Sequence, residues 1–258
     1  MKKRIVLTGG EGYIGSHLGP YLESKGYDVE LYKGDILDFR LDHIMVNQHR
    51  RVDMVIHLAA LTGVRASLDQ PEEYYQVNVK GFSKVMYECR MERVKLLYAS
   101  SSNAAEWWSN PYAVTKKITE ELAAVQLVTP SSDCIGFRPH TVYPGRPDML
   151  FDQLMNDPSQ IEYINTSHTR DFTHINDLCS AVLTLIENYS IIEDKIVDIG
   201  SGESISVLDV AQAFGWDGVR RSSPTPHERV STKADTTTLR KLGWEPKHYI
   251  FDEINNIK

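Results

Sequence analysis

The sequence predicts an α/β chain: a doubly wound parallel sheet carrying helices, followed by a smaller C-terminal domain. Three observations carry this. Short apolar runs alternate with segments of helical periodicity. The first apolar run leads directly into a glycine-rich turn and then a helix. The chain has 258 residues, and at about 150 residues per domain that length gives one or two domains, enough for a core without disulfide or metal staples.

In chain order, 5–7 reads as a buried strand, and 13–25 as a helix opened by the glycine turn. Pro20 lies inside that helix, where it removes a backbone hydrogen bond, so a kink is expected. Strands follow at 29–32, 53–58, 95–99, 134–137 and 196–200, with helices near 75–92, 112–127 and 176–188 between them. Each strand carries too few charges to face water, as buried parallel strands require. The region after about 141 is less regular and holds Pro144, Pro147, Pro158, Pro224, Pro226 and Pro246. The expected division is a sheet domain over 1–140 plus about 174–200, with a smaller cap over 141–173 plus 201–258.

Lys and Arg number 28 against 35 Asp and Glu, a net charge of −7. This is ordinary globular composition, and it argues against broad binding to nucleic acid or to an anionic membrane. Cys89, Cys134 and Cys179 are odd in number and form no CxxC pair, which fits a reducing cytoplasm rather than a disulfide framework. Met1-Lys2-Lys3-Arg4 is basic like a signal peptide, but only Ile5-Val6-Leu7 follows before Thr8-Gly9-Gly10, too short for an apolar signal core. No run approaches a membrane span. The nine histidines show no metal-ligand spacing, and His57, on a strand, reads as a core residue.

Thr8-Gly9-Gly10-Glu11-Gly12-Tyr13-Ile14-Gly15 follows a strand and opens a helix. Glycines there allow a tight turn and let a pyrophosphate approach the backbone, while the helix N-terminus offers free N–H groups and a positive dipole end. That makes the sheet Rossmann-type. A glycine turn without a ligand is the plain alternative, and the strand before it and the helix after it weigh against that. Dinucleotide folds place an acid at the end of the second strand, on the adenosine ribose. Here Lys33 stands there. It either meets a 2′-phosphate, which favours NADP, or is simply solvated while Asp35 takes the cofactor role.

Asn110-Pro111-Tyr112-Ala113-Val114-Thr115-Lys116 begins with a helix-start signature. It sets Tyr112 and Lys116 one turn apart on one face. A phenol with a pKa of about 10 is a poor base at neutral pH, and a neighbouring ammonium lowers that pKa. Tyr and Lys at this spacing are common by chance, but the preceding strand delivers Ser100-Ser101-Ser102.

At these residues the chain resembles the extended short-chain dehydrogenase/reductases of the NAD-dependent epimerase/dehydratase family, most of all the UDP-galactose 4-epimerases. The matching pieces run from TGGEGYIGSHL at 8–18 and VIHLAA at 55–60 through LLYASSS at 96–102 and YAVTK at 112–116. They continue through RPHTVYPGRPDM at 138–149 and RDFTHINDL at 170–178 to ADTTTLRKLGWEP at 234–246. The resemblance implies a nicotinamide cofactor, NAD or alternatively NADP. Gly9, Gly12, Tyr13, Ile14 and Gly15 would cradle its pyrophosphate, and Asp35 and Ile36 would contact the adenine. Leu58, Ala59 and Ala60 would line it, while Asn78, Pro139 and His140 would stand near the nicotinamide. Ser102, Tyr112 and Lys116 would form the catalytic set. Arg170 would reach the substrate's diphosphate, with Arg229 as the nearest candidate for a second arginine and Thr141 facing the substrate. His174 and Asp177 would make fold contacts.

The implied function is a nucleotide-sugar epimerase acting at C4 of a UDP-hexose. An NAD(P)-dependent reductase or dehydratase and a non-catalytic dinucleotide-binding module are the alternatives. Ser102 is followed by Asn103-Ala104-Ala105, without the acid pair a dehydratase would need. The implied assembly is a homodimer through the helices near 80–91 and 112–124, with Val85, Met86, Cys89, Ile118, Leu122 and Val125 as its seam. The chain departs from the family at Lys33, at Thr141 in place of a common asparagine, and in a shortened loop between Ser102 and Tyr112 that carries Trp107-Trp108. That pair would stack on a base or sugar, or cover an edge or a dimer contact.

Overall fold

The structure is a computed structural model and describes residues 2–48, 50–126 and 133–257. The chain folds as two compact units. The first holds residues 1–138 with 189–196, and the second 139–188 with 197–258.

In the first unit, β1 (Arg4–Thr8) is buried at every position. It lies between β2 (Asp28–Tyr32) and β3 (Met54–His57), both parallel, with Ile5 opposite Val29 and Met54. β4 (Lys95–Ala99) and β5 (Cys134–Pro139) extend the sheet beyond β3. The crossovers are α1 (Tyr13–Ser24) and α2 (Leu41–Gln48), then α3 (Val64–Asp69) and α4 (Pro71–Tyr74). A π-helical stretch, Tyr75–Gly81, runs into α5 (Phe82–Glu92), and α6 (Pro111–Gln126) follows β4. One core joins the sheet to α5: Val6, Val55 and Leu96 from the strands meet Phe82, Val85, Met86 and Cys89.

The second unit is built from short pieces. They are β6 (Thr141–Tyr143), α7 (Leu150–Asn156), β7 (Ile164–Asn165), β8 (Thr169–Arg170), β9 (Phe172–His174) and α8 (Ile175–Glu187). Then come β10 (Ile196–Ile199), β11 (Ile205–Ser206), α9 (Val207–Ala213), β12 (Arg220–Arg221), α10 (Thr237–Lys241) and α11 (Ile250–Ile257). Three two-stranded pairs, β6 with β9, β7 with β12 and β8 with β11, frame a core of Tyr143, Phe151, Phe172, Val210 and Ile250.

The main sheet is ordered β10-β5-β4-β3-β1-β2. Strand order reverses at β1, so the switch point lies between the carboxyl ends of β1 and β3. That is where open α/β sheets bind their ligands.

The six expected strands and three of the four expected helices, 13–25, 112–127 and 176–188, are present with ends displaced by a residue or two. Leu127, the last residue of the expected 112–127 helix, lies outside the described residues, as does Met1. α1 runs through Pro20 without a break. The region expected as one helix over 75–92 instead begins as a π-helix, and α2 and α3 were not foreseen. The units also divide differently from the expected domains. α8 belongs with the second unit, because the C-terminal segment holds it there: Trp244 Nε1 donates to Ser180 Oγ (2.9 Å), and the Lys247 and His248 amides donate to Asp177 (3.0 and 2.9 Å). Of the expected dimer seam, Val85, Met86 and Cys89 are buried in the chain's own core, with Leu122 packed on it. Val85, Met86 and Cys89 face that core and not solvent, and Leu122 is half-buried. Among the described residues no helix is long and apolar enough to cross a membrane.

Candidate active site

The glycine turn joins β1 to α1 with almost no room for side chains. Gly9 has φ +70°, and a Cβ there would lie 2.6 Å from the Ala59 amide nitrogen. A Cβ on Gly15 would lie 2.2 Å from the Gly9 carbonyl oxygen, a backbone contact that cannot yield. Gly12 donates its amide to Gly9 O (3.1 Å) and stands as the N-cap of α1 without a capping side chain. No acid sits in the first turn of α1. The amides of Tyr13, Ile14 and Gly15 have no acceptor within the helix. This cradle fits a pyrophosphate: the backbone is open and the dipole end is not neutralised.

Beside it, Lys33 is neither bare nor buried: its Nζ pairs with Glu11 Oε1 at 3.0 Å. Asp35 caps the short turn Ile36–Asp38 by accepting from the Leu37 amide (2.9 Å). Ile36 turns inward against Gly81, where a Cβ would meet it at 2.7 Å.

Leu58, Ala59 and Ala60 form the half-buried turn after β3. It is sewn down at both ends. Leu58 N donates to Thr8 O (3.1 Å) and Ala59 N to Thr8 Oγ1 (3.3 Å). At the far end Asn78 accepts from Leu61 N (2.8 Å) and donates to Leu61 O (3.0 Å) and Thr115 Oγ1 (3.1 Å). The π-helical stretch carries Asn78, and such turns recur at functional sites.

His57 shares a hydrogen bond with Thr8 Oγ1 at 2.8 Å. Burial, and secondly the Lys116 ammonium, lower its pKa to about 3, so the imidazole is neutral at physiological pH.

Asn110 accepts from the Ala113 amide (2.8 Å) and starts α6, as the Asn-Pro pair predicts. Tyr112 and Lys116 are both buried on successive turns. Lys116 Nζ donates to the Ala99 carbonyl at the end of β4 (2.8 Å). Burial lowers its pKa to about 8, against the opposing pull of Glu120. Ser102, also buried, opens the 3₁₀ segment Ser102–Ser109 that packs along α6. The Tyr112 ring stands edge-on to Tyr74, whose hydroxyl donates to Thr62 O (2.6 Å). Trp107 and Trp108 are exposed on that segment.

In the second unit, Pro139 ends β5 and His140 follows it. His140 is buried, its amide donates to Ile199 O (3.0 Å), and its Nε2 lies 3.5 Å from Asp198 Oδ2. Thr141 N donates to Asp171 O (3.0 Å). Arg170 donates to Thr169 O (2.9 Å) and Val230 O (3.2 Å) and pairs with Glu228 at 3.8 Å. Arg229 is half-buried, next in sequence to that Glu228. Burial and the Arg170 guanidinium both hold the His168 pKa below the usual imidazole value. Among the described residues no group of His, Cys, Asp or Glu is placed to hold a metal.

Sequence reasoning missed four parts of this arrangement: Thr8, Tyr74, Glu120 and Asp171. Glu120 could have been read, since it falls one turn beyond Lys116 on the same helix face. Thr8 and Tyr74 act through loops folded onto them. Asp171 acts on residues 30 and 63 positions away, which no local pattern encodes.

The family model described as the NAD dependent epimerase/dehydratase family matches residues 5–200. The UDP-N-acetyl-alpha-D-glucosaminuronate decarboxylase of Bacillus cytotoxicus is 26% identical over 260 residues, covering 82% of this chain and 79% of that protein. The UDP-glucose 4-epimerase of Yersinia enterocolitica is 27% identical over 274 residues, covering 81% of each. The solved structure of MoeE5 in complex with UDP-glucuronic acid and NAD has a TM-score of 0.82 and 25% identity, covering 98% of this chain and 96% of that one. With the match spanning the glycine cradle, Ser102 and the Tyr112 and Lys116 of α6, the chain belongs to the NAD dependent epimerase/dehydratase family.

Proposed function

We propose that this chain is a nucleotide-sugar epimerase, acting at C4 of a UDP-hexose with NAD as its resident cofactor. The observation that carries the reading is the buried pair of Tyr112 and Lys116 on α6, the lysine reaching the Ala99 carbonyl at the end of β4, with Ser102 opening the segment that packs along α6. A phenol beside a buried ammonium is stabilised as phenolate, which suits it to accept a proton at neutral pH. In this reading Tyr112 takes the proton from the sugar hydroxyl and later returns it, and Lys116 supplies the positive charge that favours the phenolate and holds the cofactor's ribose. Ser102 donates a hydrogen bond to the reacting oxygen. The cofactor, when bound, supplies the hydride acceptor and donor that no side chain can.

Gly9, Gly12, Tyr13, Ile14 and Gly15 would hold the pyrophosphate, and Asp35, Ile36, Leu58, Ala59, Ala60, Asn78, Pro139 and His140 the rest of the dinucleotide. Arg170, with Arg229, would take the substrate's diphosphate, and Thr141 would contact the sugar. The named relatives and neighbours, an epimerase, a decarboxylase and a UDP-glucuronic acid complex, support a UDP-sugar substrate. A homodimer through α5 and α6 is proposed as well, now resting on the exposed Tyr87, Met91 and Val125.

The test is incubation with NAD and UDP-glucose, UDP-galactose or UDP-glucuronic acid. The expected result is one equilibrium mixture of epimers reached from either side, with no net NADH. Stoichiometric consumption of NADPH, loss of carbon dioxide or loss of water would each replace the epimerase reading by the corresponding reaction.

A further inference from the structure

The end of the second strand in a dinucleotide fold supplies the acid that accepts from the adenosine ribose. In this chain that position is occupied by Lys33, the residue after β2, and a lysine has no acceptor to offer. A carboxylate nevertheless reaches the same point from another element. Glu11, in the glycine turn between Gly10 and Gly12, places Oε1 3.0 Å from Lys33 Nζ.

Both ends of this pair rise from backbone that is held in place. The turn is pinned by the Gly12-to-Gly9 hydrogen bond and docked on β2, since a Cβ on Gly10 would lie 2.6 Å from Leu31 Cδ2. The backbone after Lys33 is pinned in turn. Tyr32 OH donates to Asp35 O (2.9 Å), and the same hydroxyl would lie 2.6 Å from a Cβ on Gly34.

We propose that Glu11, held by Lys33, is the ribose-reading acid of this chain and selects NAD over NADP. The inference rests on the nicotinamide-enzyme reading above. Glu11 offers acceptor oxygens to a neutral ribose hydroxyl. A 2′-phosphate would bring a second anion against the same carboxylate, and would have to take Lys33 away from it. Asp35 and Asp38 add negative charge nearby: after burial, they are what raises the Tyr32 phenol above its usual pKa. Lys33 is therefore a clamp on the acid and not itself a reader of phosphate.

Calorimetric titration of the full chain with NAD and with NADP tests this without any turnover. Wild type should bind NAD more tightly than NADP. Glu11→Gln removes the repelling charge and frees Lys33, so the NAD-to-NADP affinity ratio should fall about tenfold or more, the size of a lost charge-assisted contact. Lys33→Gln should leave NAD preferred. The proposal is overturned if Glu11→Gln leaves the ratio unchanged, or if wild type prefers NADP and Lys33→Gln removes that preference. Wild type that binds neither dinucleotide overturns the cofactor reading itself, and this proposal with it.

Discussion

Glu120 and Asp171 are both shut away from solvent, one in each unit, and each stands beside a residue assigned to the site. Glu120 lies one turn beyond Lys116. Its Oε1 accepts from Ser100 Oγ (2.6 Å) and Arg138 Nε (2.7 Å), and its Oε2 from Arg138 Nη2 (2.7 Å). Asp171 follows Arg170. It accepts from Ser201 N (2.7 Å), Ser201 Oγ (2.8 Å), Gly202 N (2.9 Å) and Ala234 N (3.0 Å), all neutral donors. One carboxylate is thus answered by a bidentate guanidinium, the other by backbone amides that converge on it. The first arrangement sets a charge near a lysine whose ionisation matters. The second sets the path of two loops, 200–202 and 232–234. An ion pair tunes electrostatics, whereas amide donors fix shape.

The sharpest way to separate the two regions is kinetic. On the proposed function, Tyr112→Phe keeps the ring and removes the proposed proton acceptor, so kcat should drop by about 10²–10⁴-fold while NAD binding persists. Arg170→Ala, in the other unit, should on the same reading act mainly by raising KM for the proposed UDP-sugar. A comparable loss of kcat from both variants would erase the distinction between a charge-tuned and a shape-tuned region.

Next in size is the ion pair itself. Glu120→Ala leaves the largely buried Arg138 guanidinium without its carboxylate, at a cost of about 3–5 kcal/mol. Thermal unfolding should show the loss. The same variant removes the group that raises the Lys116 pKa, so the ammonium should titrate lower still. An unchanged melting temperature would show that Glu120 is not what holds Arg138.

The smallest effect is expected at Asp171→Asn, which keeps one acceptor oxygen but turns an NH₂ toward the amides of one side. That mismatch costs about 1–3 kcal/mol. Hydrogen exchange should speed up at Ser201, Gly202 and Ala234 and stay unchanged along α6. Faster exchange in α6 would show that Asp171 supports the whole chain and not its two loops.

Much of this was legible locally. The run 95–99 is a strand from its own apolar composition, and β4 has those bounds. Asn110-Pro111 announces the start of α6 because the Asn side chain and the missing proline N–H satisfy the first turn. The glycine cradle could be read because its constraints are largely local: Gly9 takes a positive φ, and a Cβ on Gly12 or Gly15 would meet the Gly9 carbonyl a few residues earlier. Four features could not be read in this way. The π-helical stretch 75–81 looks helical in sequence, since one extra residue per turn leaves no compositional mark. Val85, Met86 and Cys89 read as an apolar stripe free to meet another copy, yet α5 turns that stripe onto its own sheet. α8 fitted the alternation of strands and helices, but Trp244, Lys247 and His248 hold it in the second unit. Lys33 read as a choice between a phosphate and water, because its partner stands 22 positions earlier.

By itself, then, the amino-acid sequence determined the six strands of the main sheet, the helices α1, α6 and α8, the glycine turn and the spacing of Tyr112 from Lys116. All of these depend on periodicity, on backbone freedom at particular residues, or on neighbours within one helical turn. Tertiary structure alone decided which charges are buried and which distant groups meet. It set Lys116 against Ala99, Glu120 against Arg138, Asp171 against two distant loops and Glu11 against Lys33. Those choices depend on desolvation and on donor geometry, which exist only once segments far apart in the chain have been brought to hydrogen-bonding distance.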